Sequence, residues 1–329
     1  MNLRDQRFGI EIEFTGITRQ KAASVVADYF GTSYRYARGG YDAYEIKDDK
    51  NRTWKMVNDM SITSQKKIGN RIVSADEQYK VEFVSPICKY EDIFKIQEMV
   101  RLLRRKGGIA NDSCGIHVHV DASIHNVRSL RNIVNIMAAK EDIFYKALDI
   151  KIERERFCQK VDKCFLQNLN NKIPRTKEQL SRQWYSDSSH INSHYNSTRY
   201  HALNLHSVFQ KGTIEFRMFN STLHAGKVKA YIQFSLAISA QAINQHKASA
   251  IKTVSQNEKY TFRTWLLRLG MIGDEFATAR KFLLENLDGC IAWKDPNQAV
   301  AQRERMRESE AENEELSEEI REDEPVIGM

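Results

Sequence analysis

The chain has 329 residues, of which 41% are hydrophobic and 28% charged, as in a soluble globular protein of one large or two smaller domains. Its five widely spaced cysteines form no CxxC pair and no segment is long enough to span a membrane, which favours reduced thiols in the cytoplasm. The net charge of +7 is uneven, because residues 302–329 carry −7 and the remaining 301 residues carry +14. A basic body favours binding to a polyanionic partner, but it is equally compatible with a surface that is merely well solvated.

The first quarter of the chain predicts strands around one helix. Residues 8–14 alternate apolar and polar side chains, which indicates a β-strand, and Thr18–Phe30 have a helical pattern that ends at Gly31. Residues 33–83 resemble a β-rich meander. It includes a strand pair around a Gly39-Gly40 turn, a strand over 53–57 and a strand over 79–83 that Ser85-Pro86 closes.

The rest of the chain alternates helices with strands before it turns acidic. The predicted elements are a helix over 90–106, a strand over 115–121, a helix over 127–148, a hairpin formed by 199–207 and 212–219, an apolar helix over 227–245 and two helices within 260–288. Residues 150–198 are polar and are interpreted as a helical insertion followed by a loop. From residue 301 the chain is acidic, and we expect a solvated helix or a disordered tail.

This order of elements indicates an α+β fold in which helices cover one face of an antiparallel sheet. The predicted organisation is a catalytic domain over 1–245 that contains the insertion at 150–198. A helical extension over 246–300 and the acidic tail over 301–329 follow it.

The polar positions of four predicted strands hold groups that bind metal or phosphate, where an ordinary solvent-facing sheet would show Lys, Thr, Ser and Gln. They are Glu11 and Glu13, Glu82, His117, His119 and Asp121, and Glu215 and Arg217. Each motif alone is often an ordinary salt-bridged strand. Their joint occurrence favours an active site on the open face of the sheet.

These residue types suit a metal-assisted reaction of phosphate. Glu11 and Glu13 project from one face about 7 Å apart, which suits two Mg²⁺ ions, or one ion and a substrate amine. A histidine from His117 or His119 fits a site that takes Mg²⁺ or Mn²⁺. Arg217 can clamp a phosphoryl group with two hydrogen bonds. The chain has no P-loop motif and no GxSxG motif.

At these residues the chain resembles the amidoligase family of the carboxylate–amine ligase superfamily, which includes glutamine synthetase and glutamate–cysteine ligase. The stretches that carry the resemblance, over residues 8 to about 245, are 8–14, Trp54 with 59–61, 81–86, 113–121, 199–207 and 212–222. Met60 departs from the family, which more often has Gly at that position.

The resemblance implies a curved antiparallel sheet of the glutamine synthetase catalytic-domain type that holds ATP and Mg²⁺ or Mn²⁺. It implies that an acyl phosphate forms and an amine attacks it, which gives an amide or isopeptide bond, ADP and phosphate. The implied metal ligands are Glu11, Glu13, Glu82, His119 and Glu215. The implied nucleotide contacts are His117, His119, Arg199 and Arg217, and the implied catalytic residues are Arg217, Glu215 and Asn204.

Several points stay open from the sequence. The substrate could be an amino acid, a peptide or a protein side chain, and the oligomeric state is not determined. The insertion matches no family motif, and its His190 and His194 are either substrate ligands or, more often, exposed loop residues. A nucleic-acid-binding protein with a degenerate site would fit the basic body but lacks a basic-aromatic RNA motif. A metal-dependent hydrolase would need metal but no nucleotide.

Overall fold

The architecture is a mixed α/β fold built on one large antiparallel sheet. The computed structural model describes residues 1–40, 42–185, 193 and 196–322. The strands are β1 Phe8–Phe14, β2 Tyr34–Ala37, β3 Ala43–Lys47, β4 Thr53–Val57, β5 Gln65–Ile68, β6 Arg71–Ser74, β7 Val81–Val84, β8 Gly115–Asp121, β9 Leu203–Asn204 and β10 Thr213–Asn220. The helices are α1 Arg19–Phe30, α2 Ile93–Arg105, α3 Val127–Ala147, α4 Ile152–Glu155, α5 Lys163–Asn171, α6 Lys177–Tyr185, α7 His206–Lys211, α8 Ala225–Asn244, α9 Glu258–Arg268, α10 Ala277–Leu284 and α11 Pro296–Glu322.

Eight strands pair in the order β2-β3-β4-β7-β1-β8-β10-β9, and every pairing is antiparallel. β5 and β6 form a separate hairpin. The N-terminal strand β1 lies inside the sheet, between β7 and β8, so distant parts of the chain meet around it. Within the described ranges, no helix combines the length and apolar character needed to cross a membrane.

The sheet has one apolar face because the strands alternate with period two. Ile12 is fully buried, and its neighbours across the ladders are the buried Phe83 and Ile116. The helices cover this face: the Phe30 ring of α1 lies 5.7 Å from Trp54, and Tyr231 of α8 stacks on Phe219 at 4.4 Å. α2 and α3 pack against α8. The prediction of helices covering one face of an antiparallel sheet is confirmed for this face.

Local sequence signals predicted most of the helix ends to within a few residues. α1 begins after Thr18, whose hydroxyl oxygen accepts a hydrogen bond from the Lys21 backbone N–H, and ends at Gly31 with φ of 65°. A left-handed C-cap favours glycine because it has no Cβ. The predicted helices over 90–106, 127–148, 227–245 and within 260–288 correspond to α2, α3, α8, α9 and α10.

Two predicted strands are shorter in the structure, and these boundaries were wrong. Ser197–Arg199 form a 3-10 turn, so Arg199 does not lie on a strand, and only Leu203–Asn204 pair with β10. The helix α7 fills the connection, and Gly212, with φ of 71°, ends it. β7 likewise begins only at Val81, after a 3-10 turn over Glu77–Tyr79.

The segment 150–198 is attached to the edge of the sheet. It contains α4, α5 and α6. Gln159 donates its backbone N–H to the Tyr200 carbonyl oxygen and accepts from the Ala202 N–H, both at 2.8 Å. The acidic C-terminal segment is helical to Glu322, and its described side chains over 302–311 are exposed.

Candidate functional site

The open face of the sheet gathers the polar side chains of five strands. Opposed residues of an antiparallel pair project from the same face, so the register decides which side chains meet. The opposed pairs are Glu11–His117, Glu13–Glu82, Glu215–His119 and Glu215–Asn204. Five motifs therefore converge, although about 200 residues separate the first from the last along the chain: 8–14, 81–86, 113–121, 199–207 and 212–222.

His117 is central to this cluster, and both of its ring nitrogens face carboxylates. Its Nδ1 lies 3.2 Å from Glu11 Oε2 and 3.7 Å from Glu215 Oε1, while its Nε2 lies 3.7 Å from Glu13 Oε1. The His117 ring is buried, and carboxylates therefore take the place of solvent near both of its nitrogens.

Two groups of side chains have the donor atoms and spacing to hold a metal ion. Glu11, His117 and Glu215 form one group, and Glu13, Glu82 and His117 form the other. Within each group the ligand atoms lie within 4.8 Å of one another. Carboxylate oxygens with an imidazole nitrogen fit Mg²⁺ or Mn²⁺ better than a soft metal. The residues present therefore fit the divalent ions that the sequence implied.

His119 has different surroundings from His117. Its Nε2 lies 3.3 Å from Glu11 Oε1, and its Nδ1 bonds the Thr213 hydroxyl at 3.1 Å. Burial lowers the pKa of His119, but Glu11 and Glu215 outweigh this and raise it above the usual value. Among the described residues, both metal-capable groups include His117 and neither includes His119, so the geometry favours His117 as the ligand. The sequence left that choice open.

The carboxylates of the cluster differ in pKa; Glu13 and Glu215 are buried, and Glu11 and Glu82 are half-buried. Burial raises the pKa of Glu82 well above its usual value, and repulsion from Glu11 and Glu13 adds to the effect. Burial likewise raises the pKa of Glu13. In Glu11 the desolvation by burial is outweighed by His119 and His117, which hold its pKa well below the usual value. Carboxylates with raised and lowered pKa values therefore lie side by side in this cluster.

Glu215 is fixed by partners on both oxygens. Asn204 donates from Nδ2 to Oε2 at 2.6 Å, and the Arg217 Nη1 pairs with Oε1. Against the desolvation by burial, Arg217 and His119 lower the pKa of Glu215 to about 2. A β-bulge between Phe216 and Phe219 lets both rings enter the core, although Arg217 lies between them on the site.

A cavity of about 550 Å³ opens over this cluster and carries both signs of charge. Its acidic lining residues are Glu11, Glu13, Asp59, Glu82 and Glu215, and its basic ones are Lys55, Arg154, Arg199, Lys211 and Arg217. A second cavity of about 270 Å³ adjoins it and shares Glu11, Val84 and Lys211. The lining can receive divalent cations at one set of side chains and phosphate or carboxylate oxygens at the other.

The sequence reasoning missed several residues of this cavity. Asp59 lies within a family motif but received no role, and it raises the pKa of Glu13 and Glu82. Arg154 comes from the polar segment 150–198, where no periodic pattern points to it. Arg199, in contrast, was predicted and does line the cavity, with its guanidinium 5.2 Å from the Tyr200 ring centre.

His206 was also missed, and it links the segment 150–198 to the cavity. Its Nδ1 and the Tyr185 hydroxyl are hydrogen-bonded at 2.5 Å, so the last residue of α6 orients a cavity-lining ring of α7. His190 and His194 lie outside the described residues.

Comparison with known proteins identifies a family. The model of a family described as "putative amidoligase enzyme" matches residues 4–239. No curated protein matches the chain. Among solved structures, a bifunctional glutathione synthetase from Pasteurella multocida is similar at 12% identity with a TM-score of 0.37. The match covers 94% of this chain and 50% of that chain, so this chain spans about half its length.

Proposed function

This chain belongs to the amidoligase family, and we propose that it is an ATP-dependent carboxylate–amine ligase. The proposed reaction activates a substrate carboxylate as an acyl phosphate, which an amine attacks to form an amide or isopeptide bond. The substrate would be an amino acid, a peptide or a protein side chain. The proposal extends to a catalytic sheet of the glutamine synthetase type within residues 1–245, with a helical extension over 246–300 and an acidic tail over 301–329.

One observation carries the proposal: two metal-capable groups share His117 and lie beside Arg217 in one cavity. A carboxylate is a poor electrophile, and its phosphorylation requires stabilisation of negative charge during phosphoryl transfer. A site with several carboxylates, an imidazole and a guanidinium on rigid strands is suited to hold Mg–ATP beside a second substrate.

Each residue has a proposed role. Glu11, Glu13, Glu82 and Glu215 would hold the divalent ions with His117, and His119 would balance the charge of Glu11 and Glu215. When bound, the ions would neutralise phosphate charge and polarise the phosphoryl oxygen. Arg217, already held by Glu215, would contact the transferred phosphoryl group, and Arg199 another part of the nucleotide. Asn204 orients Glu215 through its amide N–H.

The test is ATP-dependent hydroxamate formation. With Mg²⁺, ATP, hydroxylamine and a panel of amino acids and peptides as carboxylates, the wild-type protein should produce hydroxamate and ADP in equal amounts. Glu215→Gln keeps the shape of the side chain but removes its charge, and Arg217→Ala removes the guanidinium. Each should reduce the rate by about 100-fold or more, as expected for groups that stabilise transition-state charge.

Glu258→Gln is the matched control, because Glu258 pairs with Lys146 on the surface, away from the cavity. It should retain the wild-type rate. Full turnover in both Glu215→Gln and Arg217→Ala would show that the site assignment is wrong. If hydroxamate forms equally fast without ATP, the protein is not an ATP-dependent ligase.

A metal-dependent hydrolase is the second candidate, because the same two metal-capable groups could activate water. A hydrolase requires no nucleotide. Calorimetric titration with Mg–ATP separates the two: saturable binding that Arg217→Ala weakens favours the ligase, and metal binding without nucleotide binding favours the hydrolase.

A further inference from the structure

Arg154 is a buried cation in the cavity that forms no salt bridge with any described residue. Only 3% of its surface is exposed, and it lines the 550 Å³ cavity. Across the described part of the chain, no carboxylate forms a salt bridge with this guanidinium. Glu13 attracts it only at longer range, and the ion pairs of Glu13 and Glu215 are with His117 and Arg217. An arginine remains charged at any relevant pH, so burial without a partner is costly.

The polar contacts of the side chain leave hydrogen-bonding capacity unused. Its Nη2 donates to the Arg217 carbonyl oxygen at 3.1 Å, whereas its buried Nε has no hydrogen-bond partner among the residues that the structure describes. A guanidinium carries five N–H donors in a planar fork, which matches the two oxygens of a carboxylate or phosphate.

The sheet makes room for this guanidinium at one glycine. A Cβ placed on Gly115 would lie only 2.2 Å from Arg154 Nη1, so a side chain at that position would displace the arginine. Gly115 lies on β8 two residues before His117, and its N–H donates to Glu13 Oε2 at 2.6 Å. The guanidinium therefore lies against the open face beside the metal-capable groups.

The segment that carries Arg154 is held in place from the sheet side. Arg217 Nε donates to the Phe157 carbonyl oxygen at 3.4 Å, and Gln159 exchanges backbone hydrogen bonds with Tyr200 and Ala202. These contacts position Arg154 before any ligand arrives, which reduces the entropy lost on binding.

We propose that Arg154 binds an oxyanion of a ligand in this cavity, either a nucleotide phosphate or a substrate carboxylate. The nature of the ligand rests on the proposed function, whereas the anion site rests on Arg154 itself. The segment 150–198 thereby supplies a binding residue to the site of the sheet, and an anionic group on the ligand supplies the partner that the buried guanidinium lacks.

The test compares Arg154→Gln with Arg156→Gln, an exposed arginine two residues along the chain that contacts the Phe157 ring. Calorimetry measures the binding of Mg–ADP, of the Mg²⁺ complex of the ATP analogue AMP-PNP, and of L-glutamate as a carboxylate probe. We expect Arg154→Gln to weaken at least one probe by about tenfold or more, as for loss of a charge-assisted bidentate contact. Arg156→Gln should bind as the wild type does.

The pattern of losses identifies the source of the oxyanion. Weaker AMP-PNP with unchanged ADP indicates the γ-phosphate, and equal weakening of both nucleotides indicates the inner phosphates. Unchanged nucleotides with weaker glutamate indicate a substrate carboxylate. Arg154→Lys should recover part of the lost affinity, which a purely structural role does not predict. Thermal unfolding measured alongside shows whether each variant folds.

The proposal is overturned if Arg154→Gln folds and binds every probe as tightly as the wild type, or if the wild type binds none of them. If Arg154→Gln fails to fold, Gly115→Ala tests the same proposal. Its methyl group should displace the guanidinium and weaken the binding of the same probe. These outcomes are independent of the hydroxamate assay. An inactive protein with a working anion site, or an active protein without one, would separate the two proposals.

Discussion

Carboxylates a few ångströms apart on the open face differ in charge because their neighbours differ. Glu215 has a guanidinium and an amide on its two oxygens, and its pKa is lowered, while burial and the repulsion from Glu11 and Glu13 raise the pKa of Glu82 well above its usual value. Clustered carboxylates favour a bound cation, and binding of a metal should lower the pKa of Glu82.

Glu82→Gln tests this difference. Because the folded state raises the pKa of Glu82, its stabilising contribution is present at low pH and is lost as the pH rises through the folded pKa. Glutamine imitates the protonated acid, so at neutral pH and without metal the variant should be at least as stable as the wild type. It should lose much of the thermal stabilisation that Mg²⁺ or Mn²⁺ gives.

Thermal unfolding in EDTA and in excess Mg²⁺ measures both effects. Glu91→Gln, on an exposed position before α2, is the control and should respond to metal as the wild type does. A Glu82→Gln variant that is destabilised in EDTA yet keeps the full metal response would contradict the assignment of Glu82.

The helices beneath the sheet are joined by buried polar groups as well as by apolar packing. His125 precedes α3, where its Nδ1 bonds Ser129, and its Nε2 bonds Ser239 of α8 at 2.9 Å. Burial lowers the pKa of His125 to about 4, since a charged imidazole would lose its solvation between the two helices. The contact between α3 and α8 therefore depends on a neutral histidine.

This predicts an acid-sensitive contact between the two helices. The unfolded chain takes up the proton near pH 6.5 and the folded chain only near pH 4, so stability is fully present above 6.5 and falls as the pH drops between these values. The loss attributable to His125 is at most about 3 kcal/mol. Urea unfolding at several pH values in EDTA should show a smaller dependence in His125→Asn, whereas the exposed His246→Gln should keep that of the wild type. If the free energy of unfolding of His125→Asn depends on pH as strongly as that of the wild type, His125 does not make this contact acid-sensitive.

Over the whole molecule, charge is divided between a basic body and an acidic C-terminal helix. The described side chains of α11 over 302–311 are exposed, and Gln302 accepts a hydrogen bond from Trp293 Nε1 at 2.7 Å. The long helix α11 is thus held near its start, and most of its acidic residues follow that contact along the chain.

Deleting residues 308–329 should leave the fold intact and make the positive charge of the basic body more accessible to polyanions. The free energy of unfolding should change by no more than about 0.5 kcal/mol, since no buried contact is removed from the described residues. The truncated protein should elute from heparin at higher salt than the full chain, because it is more basic. A large loss of stability would show that the acidic helix packs on the body, and unchanged elution would show that it does not screen the basic surface.

Elements with a strong local pattern were predicted to within a few residues, and those set by long-range packing were not. The period-two segments became β1, β7, β8 and β10, and α1 ended at its glycine. The connection between Asn204 and Thr213 was predicted as part of a hairpin but holds α7. A six-residue helix has too little periodicity of its own, and here contacts with β10 maintain it.

Period two is a local property of the chain, so the order of residues alone sets the alternation of the strands and the acidic and imidazole groups on the open face. The folded structure adds that His117 is common to both metal-capable groups, that the pKa of Glu82 is raised while that of Glu215 is lowered, and that Arg154 enters the site. These facts depend on strand order, burial and the approach of segment 150–198 to the edge of the sheet. They arise between residues far apart in sequence, where no local pattern records them.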